Sequence, residues 1–194
     1  MMKILYKTIF APLGVFNKDD DRKKQSTSIA VVAATIIAGS IIAPILYYYV
    51  NKDRYEIELN ITNIILMVAL SIGTWLAVCA LFWMLSKAFK KDIKFSQISS
   101  TWGLSYMPNL LCVVLYNTLL IAPGVNNGSG IAAFVICTLF IMLLVWKAIL
   151  YFMTMRFVID TSLGEIIVYT AVSAVVFAVL MMVGFRAGIQ VPML

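Results

Sequence analysis

The sequence has no histidine. That removes the commonest general base, the commonest metal ligand and any histidine-based triad. Charge is scarce too. Only 12% of the 194 residues are charged and 62% are hydrophobic, whereas a soluble domain carries about 25% charged residues. The balance excludes a water-soluble globule and implies an integral membrane protein. Cysteine is sparse. Cys79, Cys112 and Cys137 all fall inside hydrophobic runs, with no CxxC spacing. They read as small buried apolar residues, not as an oxidised framework. The acids are Asp19, Asp20, Asp21, Asp53, Glu56, Glu58, Asp92, Asp160 and Glu165. Each lies in a loop or at an expected helix end. No carboxylate pair falls at mid-membrane, which argues against proton-coupled transport and against an enzyme acting on lipid. Neither catalysis nor a cofactor is expected.

What is present is a set of five long apolar runs, at 28–50, 62–86, 101–122, 130–155 and 165–185. Each has about 21–26 residues, and about 20 cross the hydrocarbon as a helix. None shows the strict alternation of a membrane barrel strand. The expected fold is all-α: a five-helix membrane domain over 28–194, preceded by a segment 1–27. The loops are short, so no soluble domain is appended, and no internal repeat is evident.

The opening MMKILYKTIFAPLGVF is not read as a signal peptide. Its apolar run is short, broken by Pro12, and followed by NKDDDRKK rather than a small-residue cleavage site. Ile4, Leu5 and Ile9, with Lys3 and Lys7 opposite, fit a short amphipathic helix lying on the membrane surface. The acidic triplet 19–21 lies beside Arg22, Lys23 and Lys24 and reads as a solvated charge cluster, not a metal site.

Net charge is +6. The positive residues flank membrane spans, so they set orientation and meet anionic lipid rather than nucleic acid. Six precede the first span: Lys3, Lys7, Lys18, Arg22, Lys23 and Lys24. Four join spans two and three: Lys87, Lys90, Lys91 and Lys94. The loop PGVNNGSG between spans three and four has none. The N-terminus is therefore expected in the cytoplasm and the C-terminus outside. Tyr47, Tyr48 and Tyr49 would lie in the outer aromatic belt, and Trp102 and Tyr106 at the inner end of span three. Ser162 and Glu165 have capping-box spacing and mark the start of span five.

Lys147 is the one plausible charge inside a span. It lies nine residues before Arg156, about 13 Å deeper at 1.5 Å per residue. It reads as an interior cation for a partner helix or a lipid phosphate. The plainer alternative is a lysine snorkelling beside Trp146. The pairs Ala34/Ala38, Gly73/Ala77 and Ala174/Ala178 have helix-packing spacing, expected to act inside the monomer. Pro108 stands early in span three, where proline costs about 3 kcal/mol in a helix interior. It predicts a bend near residues 104–108, facing other helices or a cavity, with Ser105 and Tyr106 able to satisfy the freed carbonyl of Leu104.

The stretch DIKFSQI followed by SYMP resembles the Yip family of polytopic membrane proteins. The matching positions are Phe95, Gln97 and Ile98, then Ser105, Tyr106 and Pro108, with Trp146 in span four, TSLGEII before span five and Pro12 near the start. Lys94 departs from the family phrase, which has serine there. The resemblance spans nearly the whole chain and implies five spans with the N-terminus inside. Eukaryotic members carry a long cytosolic N-terminal region with a DLYGP-like motif. It is absent here, so a Rab-GTPase-binding role is not expected, and the short opening is similar to bacterial members. For those, the resemblance implies a non-catalytic inner-membrane protein acting beside a membrane partner such as an ABC-type exporter, or in envelope stress protection. The candidate functional surface is Phe95, Gln97, Ser105, Tyr106, Pro108, Trp146 and Lys147. The competing reading is a transporter or permease component whose pathway lies near the broken third span.

Overall fold

A membrane offers no partner to a bare N–H or C=O, so helices must satisfy their own backbone. The computed structural model describes residues 2–16, 22–51, 60–121 and 130–186, and no strand occurs among them. The acidic triplet 19–21 and the loops 52–59 and 122–129 lie outside the described residues.

Helix α1 is Met2–Phe10, followed by a 3-10 turn at Pro12–Gly14. Span one is continuous: α2 (Arg22–Ile36), a π segment (Ile37–Ile42) and α3 (Ala43–Asn51). Span two is α4 (Ile61–Ala88). Span three is α5 (Phe95–Leu104) and α6 (Met107–Ile121). Span four is α7 (Gly130–Met153) running into a second π segment (Thr154–Val158). Span five is α8 (Leu163–Arg186). Among the described residues, five stretches are thus long and apolar enough to cross a membrane. The fold is an all-α bundle.

Two helices begin more than a turn before their apolar runs. Span one starts at Arg22 rather than 28, and span three at Phe95 rather than 101. The early turns of span three are polar, yet Ser99, Ser100 and Thr101 are buried. Their hydroxyls donate to carbonyls of their own helix, those of Ser96 and Gln97, at 2.8–3.1 Å. Satisfied in this way, a polar turn can enter the bundle.

Proline explains the first π segment. Pro44 has no N–H, and its ring presses on the carbonyl of Ser40, four residues back. The turn before it widens, and the Ala43 N–H bonds to the Ala38 carbonyl, five residues back. Two cross-helix contacts use the widened turn. The Ser40 and Ser71 hydroxyls lie 3.2 Å apart, and Asn117 Nδ2 donates to the Ala38 carbonyl at 3.1 Å.

Span three is the central element. Of its apolar window 72% is buried, against 39% in span one, 28% in span two and 6% in span four. It meets α2 most closely. A Cβ on Gly103 would land on the Ser28 hydroxyl, which donates to the Ser99 carbonyl at 3.0 Å. Lipid is as apolar as leucine, so close approach of this kind, not apolar burial, holds membrane helices together. Two of the three small-residue pairs do less, while Ala38 of the third is buried. Gly73, Ala77, Ala174 and Ala178 are exposed on the outside of the bundle, and a Cβ on Gly73 would meet open space.

Candidate functional site at the break in the third span

The site starts at the N-terminus of α5. The Gln97 side chain accepts from the Lys94 N–H at 3.0 Å, the returning half of a capping box. A serine at position 94 would add the forward half. Phe95, the first helical residue, is exposed.

Ten residues on, the helix breaks. Ser105 and Tyr106 form a turn, and α6 begins at Met107. Pro108 therefore sits in the first turn of a new helix, where its missing N–H leaves no intrahelical bond unmade. The Ser105 hydroxyl donates to the Trp102 carbonyl at 2.6 Å, not to that of Leu104. The Tyr106 N–H bonds to the Gly103 carbonyl at 3.2 Å. Leu104, Ser105, Tyr106 and Pro108 are all buried.

Trp102 and Tyr106 face the core and not lipid; they are 2% and 4% exposed. Phe82 of α4 centres an aromatic cluster, with Trp102, Tyr151 and Tyr169 at 5.0, 5.6 and 5.7 Å between ring centroids. The Trp102 ring lies edge-on to Tyr106 at 6.3 Å. Such edge contacts contribute about 0.5–1.5 kcal/mol each beyond area burial. Hydroxyls on the cluster rim are paired: Tyr169 donates to Ser86 and Tyr151 to Ser173.

Lys147 reaches this cluster from α7. Its ammonium lies over the Tyr106 ring, 5.7 Å from the centroid. The lysine turns toward the break between α5 and α6 and does not snorkel to an end of the span. A desolvated cation–π contact contributes about 2 kcal/mol. A lysine at the centre of a membrane helix costs about 2.5–3.5 kcal/mol on insertion scales. The ring offsets only part of that.

Trp146, its neighbour in sequence, belongs elsewhere. It packs against a second core of Val15, Phe16, Leu104, Leu150 and Val158. Here the N-terminal segment enters the bundle: Phe16 is 1% exposed. Ile4 packs on this second core and Leu5 on the main one. Ile4 and Leu5, two of the three apolar residues assigned to the membrane surface, therefore meet protein. The side of α1 left exposed carries Met2, Tyr6 and Phe10, continued by Leu13. Of the seven candidate residues, Ser105, Tyr106, Pro108 and Lys147 gather at the break. Trp146 lies in the Phe16 core, and Phe95 and Gln97 lie at the far end of α5, about 15 Å away at 1.5 Å per residue.

The sequence reading overlooked Pro44, Gly103 and Phe16. Proline inside an apolar run was a visible signal for the first. Nothing local marked the other two. As chemistry, the site presents one cation against an aromatic face; the Ser105 hydroxyl donates to backbone and those of Tyr151 and Tyr169 to serine side chains. A bundle of five membrane-length helices around a broken, buried third span defines a polytopic integral membrane protein. A profile of the Yip1 domain family matches residues 6–185. The chain belongs to that family. No curated protein and no solved structure matches it.

Proposed function

We propose that the protein is a non-enzymatic scaffold or accessory subunit of the cell membrane, with the N-terminus in the cytoplasm and the C-terminus outside. In this reading it acts beside another membrane protein, such as an ABC-type exporter, or in envelope stress protection, and touches anionic lipid at its basic end. One observation carries the proposal. Only 6% of the apolar window of span four is buried, and Ile141, Met142, Leu144, Val145 and Ile149 of α7 are exposed. A bundle that leaves spans four and five so uncovered has room for another membrane helix. Family membership supports the same reading.

The transporter reading finds less support. A pathway at the break would need freed backbone lining a polar opening. The residues of the break are buried instead. A cavity of about 320 Å³ between α2 and α4 is lined by apolar residues, among them Val32, Ile36, Val68 and Ile72, with Trp75. Hydrocarbon suits it better than a polar solute.

The test is quantitative co-purification from native membranes after cross-linking, beside a control membrane protein. A reproducible membrane-protein partner at defined stoichiometry is expected. Its absence, together with solute uptake by vesicles holding the purified protein, would overturn the proposal in favour of transport.

A further inference from the structure

We infer that Lys147 is the docking point for a second protein whose transmembrane helix carries an aspartate or glutamate near mid-membrane. The inference rests on the accessory reading above and names the chemistry of the partner.

Lys147 lies near the centre of the fourth span, 134–158. At that depth water does not screen its charge, and the membrane favours a paired over an unpaired cation. The bundle supplies a ring, Tyr106, but no counter-ion among the described residues. Glu165 is held at the start of α8 by Lys91 and Ser162, and Asp92 pairs with Lys87. Asp160 lies in the junction before α8. The remaining acids of the chain, at 19–21, 53, 56 and 58, fall between the apolar runs. No carboxylate among the described residues lies at the depth of Lys147 and no acid of the sequence falls inside an apolar run, which argues against a second copy of the chain as its source. A lipid headgroup belongs at the end of a span, not its middle. The matching charge must come from a different helix. One flank of Lys147 on α7 is open to it: Leu144, three residues before, is 55% exposed, while Leu150, three residues after, is buried, and Lys147 itself is only partly buried.

The probe is a leucine-rich transmembrane peptide with one central aspartate, and the controls carry asparagine or leucine there. The full chain and the peptide are reconstituted in phosphatidylcholine vesicles, and association is read by energy transfer. The aspartate peptide should associate about tenfold more tightly than the leucine peptide, a difference of one decade in Kd. Lys147→Met should abolish the preference. Lys147→Arg, which keeps the charge, should retain it and controls for folding. Equal binding of aspartate and leucine peptides, or a preference that survives Lys147→Met, would overturn the inference. So would phosphatidylglycerol displacing the peptide from wild type, with lipid retention lost in Lys147→Met, because the cation would then be a lipid site. A native partner that still co-purifies with Lys147→Met would leave the accessory reading standing and remove this one alone.

Discussion

Lys91 Nζ donates to the backbone carbonyl of Asp160 at 2.7 Å. The two residues belong to the turns that end spans two and four. Lys90 and Asp160 are the two non-glycine residues with positive φ among those described, at 57° and 61°. Each closes a helix. The Lys91 N–H returns to the Ser86 carbonyl at 2.8 Å and the Thr161 N–H to that of Met155 at 3.2 Å. Lys91 also meets Glu165 at 3.3 Å, so one side chain ties three span ends together.

Removing that tie should loosen one end of the bundle. Lys91→Met loses the charge-assisted bond to the Asp160 carbonyl, about 1 kcal/mol, and with it the pair to Glu165. Thermal unfolding in detergent should show the drop, and high salt should narrow it only in part, because screening weakens the wild-type pair to Glu165 more than the bond to the carbonyl. An unchanged midpoint would mean that the turns hold themselves.

Lys90 has the opposite prospect. A left-handed residue at a helix end favours glycine. Lys90→Gly should stabilise by about 1 kcal/mol, and Lys90→Val should destabilise, because a β-branched side chain resists that backbone. The same unfolding assay ranks the three. Glycine ranking below lysine would show that the lysine side chain contributes more than its backbone costs.

Gly103→Ala should cost about 1–3 kcal/mol by overpacking α5 against α2. Ser28→Ala alone should cost about 1 kcal/mol, through its bond to the Ser99 carbonyl. Together they should cost less than the sum, since removing the hydroxyl makes room for the new methyl. Additive losses would place the two residues farther apart than described.

Phe16→Ala should undock the N-terminal segment rather than unfold the spans. Truncating a buried phenylalanine costs about 3–5 kcal/mol, and α1 has few other contacts to offset it. Hydrogen exchange at residues 2–16 should rise sharply while residues 95–104 stay protected. Faster exchange across the whole bundle would make this segment part of the core rather than a latch on it.

Span count and helical class were legible because hydrocarbon thickness imposes a length on every crossing helix, and runs of that length stand out in composition. The helix starts were legible where capping residues mark them. The box at Ser162 and Glu165 is formed, with the Ser162 N–H donating to the Glu165 carboxylate at 2.7 Å. The break at Ser105–Tyr106 lies where Pro108 forbids a continuous ladder. What stayed hidden is which side of each span faces protein. In water the buried face of a helix is the apolar one, and its period betrays it. In lipid both faces are apolar, so Trp102 reads the same whether it meets headgroups or Phe82. The sequence alone determined how often the chain crosses and where it turns. Only the tertiary structure decided that Gly103 meets Ser28, that Phe16 enters the bundle and that Lys147 lies over Tyr106, because side-chain shape orients helices once hydrophobicity no longer distinguishes their faces.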